Sequence, residues 1–352
     1  MARASHIGLL MPAVDNPGGV TVFVQAVAQA LRQNGHQVRI FAVGHSHCRT
    51  EQADTYCINA AGRETRRRQL LEQIASLEKD RRFDLLVANN LQTSDFLHHS
   101  ASQACKVFTL HQPSLLKRKN PFSEPRRRRR LRALFNAQHL AAVSAGYLAG
   151  FKRCYPHIAP RSEQVIYNPV DAIQLRKLSQ LSVTTPAEEF IVSAGRLTRT
   201  KNHAALLRAY AQMPPDTPPL LIIGDGPLKT QLQTLAQKLG IAARVHWLGW
   251  QANPYPVIRR ARLLVHSATA EAFGRVLPEA LALGTPVVAF DCPYGPAEIM
   301  TGALAAYLVP LNNIAALSAT MTRALQDYPA IGEAHLAPFS TARAAAAYER
   351  YL

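Results

Sequence analysis

Two acidic residues in the second half of the sequence have a type and spacing suited to binding ligand hydroxyl groups. Glu271 and Glu279 lie eight positions apart, between the apolar segments 261–265 and 286–290. These segments predict buried strands, and residues 277–283 predict a helix that ends at Gly284. Acids at the mouth of a parallel sheet can accept hydrogen bonds from a ligand, as the ribose-binding acid of nucleotide folds does.

Two cations follow the first predicted strand of the same half. Arg196 and Lys201 lie five positions apart on a strand-to-helix loop. Such a pair suits a diphosphate, because Arg can donate two parallel hydrogen bonds and the following helix adds backbone donors. A solvated basic loop is the alternative.

Further residues fit the rest of a nucleotide ligand. Gly224, Gly226 and Trp250 fit its base end, Glu279 its ribose, and Glu271 with the amides near Phe273 and Gly274 the group beyond the phosphates.

The first half contributes one histidine and a pair of glycines. His111 directly follows the predicted strand 106–110, and Gly18 with Gly19 lies between a first strand and a first helix. The glycines allow close backbone approach to a ligand, although a full Gly-x-Gly-x-x-Gly spacing is missing. A structural histidine and an ordinary turn are the alternatives. We find no metal-ligand spacing and no Asp-x-Asp, so we expect neither a metal nor another cofactor.

Strands and helices alternate along the whole chain of 352 residues. This alternation predicts an α/β protein with two parallel, doubly wound sheets. Residues 1–170 form the predicted first domain, residues 171–335 the second, and residues 336–352 a helix that crosses back to the first. Because ligands bind beyond the carboxyl ends of such strands, we expect one cleft between the two domains.

Composition and charge further restrict the class of protein that this chain can belong to and the kind of partner that it can bind. Apolar residues make up 48% of the chain, and no segment is long and apolar enough for a signal peptide or a membrane span. Five cysteines without a Cys-x-x-Cys pair predict a reduced, cytoplasmic protein. The formal charge is +17, and residues 1–170 carry 24 Lys and Arg against 11 Asp and Glu. The excess predicts an anionic partner for the first half, either nucleic acid or a membrane face.

Several motifs then occur in a fixed order along the second half. They are Gly195-Arg196-Leu197 with Lys201-Asn202, Gly224-Asp225-Gly226-Pro227, Gly249-Trp250, Glu271-x7-Glu279 and Asp291-Cys-Pro-Tyr-Gly-Pro-x-Glu298. In this order the sequence resembles the retaining glycosyltransferases of family 4, the group 1 type. The resemblance covers nearly the whole chain and implies the GT-B fold, in which two Rossmann-like domains face each other across a cleft.

The resemblance also implies roles for individual residues. Arg196 and Lys201 would neutralise the donor diphosphate, Glu279 would bind the ribose, and Glu271 would hold the donor sugar. The backbone at Phe273, Gly274, Arg275 and Val276 would lie near the sugar and phosphate. Gly18 and Gly19 would approach the phosphate or the acceptor, and His111 would contact the donor sugar. The catalytic set implied is His111, Glu271, Arg196 and Lys201, with charge stabilisation on the leaving phosphate as the main device.

The implied activity is transfer of a hexose or N-acetylhexosamine, with retention, from a UDP-linked donor to a glycan or lipid-linked acceptor. Lipopolysaccharide, O-antigen or capsule synthesis is the expected setting. Two alternatives stay open: a glycoside hydrolase that uses Glu271 and Glu279, and a basic nucleic-acid-binding protein. A nucleic-acid-binding surface requires aromatic residues for stacking between its basic runs. This sequence lacks them, so no nucleic-acid partner is expected. We expect Arg126, Arg127, Arg128, Arg129 and Arg130 to dock on the anionic cytoplasmic face of the inner membrane, a peripheral location; a solvated helix face is the alternative.

Overall fold

The chain folds into two compact units in a computed structural model that describes residues 4–12, 18–44, 54–116 and 124–352. Unit 1 comprises Met1–Pro169 with Thr341–Leu352, and unit 2 comprises Val170–Ser340. The segment 336–340, expected in the final crossing helix, is part of unit 2. It stays there because Phe339 packs edge-on against Phe273, with ring centroids 5.4 Å apart, and Ser340 forms a bridge to Val170.

Unit 1 is built on a parallel sheet of seven strands. The strands are β1 (His6–Pro12), β2 (Gln37–Val43), β3 (Thr55–Ile58), β4 (Leu85–Ala88), β5 (Cys105–Leu110), β6 (His139–Ala142) and β7 (Ser162–Val165). Their order in the sheet is β3-β2-β1-β4-β5-β6-β7. The central strands β1 and β4 are apolar and almost completely buried, as strands of a parallel sheet covered on both faces must be.

Helices connect these strands. They are α1 (Gly19–Gln33), α2 (Arg63–Asp80), α3 (Leu91–His98), α4 (Glu124–Phe135) and α5 (Ala145–Cys154), with a short 3-10 helix at Pro113–Leu116. α1 buries one apolar face, which includes Phe23, Val27 and Leu31, against the sheet. α4 buries only Leu131, Leu134 and Phe135, which leaves its arginine-rich side outward.

The cysteines differ in state. Cys57 in β3 is disulfide-bonded, whereas Cys105, Cys154 and Cys292 are free. The expectation of a fully reduced chain therefore does not hold for Cys57. Cys48 lies outside the described residues, as do Pro17 and the basic run 117–119.

Unit 2 contains a second parallel sheet, of six strands. They are β8 (Ile191–Ala194), β9 (Leu220–Ile223), β10 (Val245–Gly249), β11 (Leu263–His266), β12 (Val287–Phe290) and β13 (Leu308–Val309). Their order is β10-β9-β8-β11-β12-β13. The winding direction changes between β8 and β11, so the loops that follow these two strands diverge at a topological switch point, the usual ligand position in such sheets.

The helices of unit 2 are α6 (Ala172–Ser179), α7 (His203–Tyr210), α8 (Lys229–Lys238), α9 (Tyr255–Arg260), α10 (Val276–Ala282), α11 (Pro296–Ile299) and α12 (Ile314–Gln326). Short 3-10 helices lie at Ala242–Arg244, Gly302–Tyr307, Glu333–His335 and Ala337–Phe339.

The last helix, α13 (Thr341–Glu349), returns to unit 1. Its Tyr348 is completely buried in the unit 1 core, and the hydroxyls of Tyr348 and Thr109 form a hydrogen bond of 2.8 Å. The ring of Tyr348 also meets Phe23 of α1 edge-on, so α13 completes the covering of the sheet.

Candidate functional site

Glu271 lies in the connection between β11 and α10, where the backbone is held by the loop that follows β12. Its amide donates to the Pro293 carbonyl at 2.7 Å, and its carbonyl accepts from the Tyr294 amide at 2.6 Å. The two loops approach so closely that a Cβ on Gly295 would lie 2.1 Å from the Phe273 carbonyl oxygen. Gly295 is therefore the residue that permits this arrangement, and the sequence analysis gave it no role.

The carboxylate of Glu271 has two side-chain partners in the described part of the chain. The Lys201 ammonium forms an ion pair with Oε1, and Nε2 of His266 lies 3.3 Å from the same oxygen. Burial raises the pKa of Glu271, but the Lys201 charge and the histidine outweigh burial and lower the pKa to about 2. Glu271 is thus a permanently ionised group next to a cation at the switch point.

Lys201 is positioned through its own backbone. The amide of Thr269 donates to the Thr200 carbonyl at 2.8 Å, and the Ser267 hydroxyl donates to the Lys201 carbonyl at 3.1 Å. The loop after β8 is therefore fixed to the loop after β11. Sequence reasoning assigned Lys201 and Glu271 to different parts of a ligand and did not anticipate that they pair with each other. It also missed Ser267 and Thr269, whose signal was their position directly after an apolar strand.

Two buried histidines lie beside this pair. His266 ends β11 and His203 begins α7, and each has 3% of its surface exposed. Burial, followed by the neighbouring His266 and Lys201, lowers the pKa of His203 to about 4. Burial likewise lowers the pKa of His266. Both imidazoles are therefore neutral near pH 7, and neither was singled out from the sequence.

Glu279 occupies the first turn of α10 and also has a cation. Nη2 of Arg275 lies 2.8 Å from its Oε1. Glu279 is only 8% exposed. Burial, followed by the Glu279 charge, raises the pKa of the adjacent Tyr255 phenol. The predicted role of Arg275, near the donor sugar, concerned its backbone, and its side chain forms an ion pair with Glu279 in addition.

Arg196 and the two glycines of the Gly224-Asp225-Gly226 motif lie on neighbouring loops after β8 and β9. Arg196 is exposed and forms no ion pair with a described residue. Gly224 has a φ of +134°, and a Cβ there would lie 2.1 Å from the Gly195 carbonyl oxygen. A Cβ on Gly226 would lie 2.6 Å from the Leu197 carbonyl oxygen. Both glycines are thus required for packing between the loops, whatever they bind.

Trp250 follows β10 in the same unit. Its side chain is 60% exposed, an unusual state for a large aromatic residue. An exposed ring at the carboxyl end of a sheet is available for stacking.

In unit 1, His111 follows β5. Its Nε2 lies 3.3 Å from Oδ1 of Asn89, and its ring meets Phe23 edge-on at 4.6 Å. Gly18 caps α1, where its carbonyl accepts from the Thr21 amide at 3.0 Å. Asn89 follows β4, the strand next to β1, so His111 and its partner lie near the switch point of this sheet.

The basic helix α4 is partly committed to internal contacts. Arg127 is half-buried; it pairs with Glu124 at 3.2 Å and lies over the Tyr155 ring at 5.5 Å. Its place in the predicted docking surface is therefore corrected, because its guanidinium ties α4 to α5. Arg130 pairs with Asp95 of α3 at 2.9 Å and stays exposed. Arg126 and Arg129 are exposed and form no ion pair with a described residue.

The described residues contain neither a metal-binding cluster nor a membrane-spanning helix. No three or more His, Cys, Asp and Glu side chains are grouped so that they could hold a metal ion. No helix within the described ranges combines the length and the apolar character that crossing a membrane requires.

Both halves of the chain match known protein families. Residues 178–337 match the model of the "Glycosyl transferases group 1" family, and residues 17–173 match that of "Glycosyltransferase Family 4". The chain belongs to the group 1 glycosyltransferases. The family prediction is confirmed at this level, and the two matches fall on unit 2 and unit 1 respectively, apart from four residues after Pro169.

Two curated relatives carry glycosyltransferase names. The N-acetylgalactosamine-N,N'-diacetylbacillosaminyl-diphospho-undecaprenol 4-alpha-N-acetylgalactosaminyltransferase of Campylobacter jejuni is 33% identical over 48% of this glycosyltransferase and 46% of its own length. The lipopolysaccharide core biosynthesis glycosyltransferase LpsD of Rhizobium meliloti is 32% identical over 49% of this chain and 50% of its own. The chain spans about half the length of the curated relatives it matches.

A solved structure supports the fold over the whole length. The Anabaena protein Alr3699/HepE, in complex with UDP and glucose, aligns with a TM-score of 0.70 at 20% identity. The alignment covers 99% of this glycosyltransferase and 95% of that chain. The predicted GT-B fold is confirmed.

Proposed function

We propose that the chain transfers a hexose or N-acetylhexosamine, with retention, from a UDP-linked donor to a glycan or lipid-linked acceptor in lipopolysaccharide or related envelope polysaccharide assembly. The observation that carries the proposal is the Lys201–Glu271 pair. It places a cation and an ionised acid side by side at the switch point of unit 2, where nucleotide ligands bind in such sheets. The names of the Campylobacter and Rhizobium relatives, and the UDP and glucose of the Anabaena complex, support the donor and acceptor classes.

In this proposal the donor lies along the loops of unit 2. Lys201 and Arg196 neutralise its diphosphate, and Trp250 stacks on the base. Glu279 accepts from the ribose hydroxyls, and Glu271 accepts from hydroxyls of the sugar, near the backbone of residues 273–276. The leaving diphosphate gains charge as the glycosidic bond breaks, so cations fixed nearby lower the barrier without needing a metal.

In unit 1, we retain the prediction that Gly18 and Gly19 approach the phosphate or the acceptor and that His111 contacts the donor sugar. The neutral Asn89 beside His111 supports an imidazole that acts as a hydrogen-bonding group.

The hydrolase alternative is weakened by the state of the two acids. A glycosidase requires one carboxylic acid that stays protonated near neutral pH to protonate the leaving group. The pKa of Glu271 is lowered to about 2, and Glu279 is paired with Arg275. Glu271 is therefore ionised near neutral pH and does not supply that acid.

The test is a panel of UDP-, GDP- and dTDP-linked sugars, screened by thermal shift and then by release of the nucleotide diphosphate with lipid-linked acceptors. A bound ligand raises the melting temperature of the folded protein, so a single hit identifies both base and sugar. Glu271→Gln should slow transfer about 10- to 100-fold, because it removes a charged hydrogen-bond acceptor. Glu279→Gln should weaken donor binding by a similar factor.

The matched control is Glu189→Gln, which neutralises an exposed acid of the same unit that pairs with Arg262. It should leave both measurements unchanged. Wild-type transfer and donor binding in both Glu271→Gln and Glu279→Gln would refute the proposed site.

We also propose that α4 docks on an anionic membrane surface, which would bring the protein to lipid-linked acceptors. Exposed arginines at positions 126, 129 and 130 recur at helical spacing on one side of α4, and residues 128 and 132 add two more. Each basic residue near such a surface contributes about 1 kcal/mol. The double variant Arg126→Gln/Arg129→Gln should therefore reduce partition onto phosphatidylglycerol vesicles about 30-fold at low salt.

The control is Arg208→Gln/Lys238→Gln, which removes the same charge from exposed positions of unit 2. It should leave vesicle binding unchanged. Equal partition of the wild type onto neutral phosphatidylcholine and anionic vesicles would refute membrane docking without affecting the proposed transfer reaction.

A further inference from the structure

His266 occupies a position that the proposed donor contacts leave unexplained. It is the last residue of β11, where it pairs with Ala289 of β12, and it is buried inside unit 2. Its Nε2 lies 3.3 Å from Oε1 of Glu271 and is shielded from solvent. This separation is slightly longer than an optimal N–H···O hydrogen bond. Nε2 makes no hydrogen bond with a described residue in this arrangement, so the imidazole lies beside the carboxylate without donating to it.

The same carboxylate oxygen already has a stronger partner. Lys201 forms its ion pair with Oε1, so one oxygen serves both the ammonium and the imidazole. An ammonium group on a flexible four-carbon stem can turn toward a new anion. In the proposed function that anion is the donor diphosphate. Once Lys201 turns, Glu271 loses its counter-ion at a largely buried position, where an unpaired charge is costly.

The surrounding groups leave one candidate to replace the ammonium. Burial and the Glu271 charge raise the pKa of the Cys292 thiol to about 12, so it stays protonated and offers only a weak S–H donor. The Ser267 hydroxyl already donates to the Lys201 carbonyl. Nε2 of His266 already lies 3.3 Å from the carboxylate oxygen that the ammonium would leave.

We propose that His266 is a positioning residue for the acid: its neutral imidazole, protonated on Nε2, holds Glu271 toward the donor sugar when Lys201 moves to the diphosphate. As the ammonium leaves, a small shift of the imidazole brings its Nε2–H onto the carboxylate, so Glu271 gains one donor when it loses its counter-ion. This role rests on the proposed function, because it requires a diphosphate that competes for Lys201.

The buried neighbourhood favours the neutral form of the imidazole. His203 and Lys201 lie close to His266, and a proton on it would be buried near an ammonium group. Glu271 alone would favour the imidazolium. A neutral imidazole with its proton on Nε2 can donate to Glu271 without neutralising it.

The first arm of the test reads the imidazole directly. The full-length, ligand-free protein is labelled with ¹⁵N-histidine, and the spectrum of His266→Gln identifies the signals of His266 by their loss. We expect a neutral ring protonated on Nε2 at pH 7.5. Saturation with UDP should shift the Nε2–H signal as the contact tightens. A proton on Nδ1, or an imidazolium at this pH, would overturn the proposal.

The second arm separates positioning from folding by kinetics with the donor that the nucleotide-sugar panel identifies. His266→Met keeps the volume and loses the donor, and it should lower kcat about tenfold while KM changes less than about twofold. His266→Gln keeps an amide donor at the reach of Nε2 and should restore kcat to within about threefold of the wild type. His203→Met is the matched control, an equally buried histidine that does not contact Glu271, and it should retain wild-type kcat.

Equal losses in His266→Met and His266→Gln, or no loss in either, would overturn the positioning role. Absence of wild-type turnover with every nucleotide sugar, or of a UDP effect on the spectrum, would count against the proposed function instead. The tautomer of the ligand-free protein would still decide whether His266 donates to Glu271.

Discussion

Replacing His203 with methionine should make unit 2 less sensitive to acid. His203 is the first residue of α7 and has 3% of its surface exposed. Burial, then the neighbouring His266 and Lys201, lower its pKa from 6.5 to about 4. Its Nδ1 has no hydrogen-bond partner in the described part of the chain. Methionine fills a similar volume and does not titrate, so the substitution removes the titration without removing a hydrogen bond at Nδ1.

The sign and size of this pH effect on the free energy of unfolding follow from proton linkage. Between pH 6.5 and pH 4 the unfolded chain binds a proton at this position that the folded chain does not, so the free energy of unfolding falls as the pH falls. The full difference between the two pKa values corresponds to about 3 kcal/mol, and about 2 kcal/mol is already lost at pH 5. The depressed pKa of Glu271 acts in a lower window, between 4.5 and about 2, and does not interfere.

The assay uses the full chain and its own tryptophans. The only two, Trp247 and Trp250, both lie in unit 2, so their fluorescence follows the unfolding of that unit in urea. Between pH 7.5 and pH 5 the wild type should lose about 2 kcal/mol more unfolding free energy than His203→Met. The variant should keep a residual pH dependence from His266, because burial lowers the pKa of that histidine as well. An identical loss in both proteins would refute the assignment.

Two further predictions concern the same unit. Gly295→Ala should lower the free energy of unfolding of unit 2 by about 2 kcal/mol or more, because the added Cβ would meet the Phe273 carbonyl. Gly240 has open space around it, so Gly240→Ala should lower the free energy of unfolding by only about 1 kcal/mol, through its φ of +71°. Equal urea midpoints for the two variants would contradict the close approach. Trp250→Ala should weaken UDP binding about tenfold by calorimetry through the loss of base stacking, with little effect on melting temperature because the ring is exposed. Unchanged affinity would remove Trp250 from the proposed donor site.

Much of the fold could be predicted because most strands of the two sheets are short apolar runs followed by a helix pattern. The elements of unit 1 that were not predicted include the strands β3 and β7 and the helix α3. β3 (Thr55–Ile58) is a half-buried edge strand of four residues, too short and too polar for a clear pattern. α3 (Leu91–His98) has only two turns, and its signal is local: Asn90 caps it and accepts from the Thr93 amide at 2.7 Å. That capping pair was readable in the sequence.

The site was predicted in part, because position after a strand is local information and pairing is not. The positions of Arg196, Lys201 and Glu271 followed from the strand pattern. The ion pair between Lys201 and Glu271 depends on β8 lying next to β11, a contact between residues 70 positions apart. The same adjacency brings His203 to His266, and no spacing in the sequence indicates that these two histidines are neighbours.

Because α13 returns to unit 1, unit 1 is formed by two separate segments of the chain, and unit 2 is inserted between them. Val170 and Ser340 bridge, and the Val170 amide donates to the Phe339 carbonyl at 2.7 Å, so the chain enters and leaves unit 2 at one point. During synthesis unit 2 is therefore complete before unit 1 receives Tyr348. Until then the Thr109 hydroxyl lacks its buried partner and Phe23 of α1 lacks the Tyr348 ring. The unit that is translated first therefore cannot complete its core until translation reaches α13.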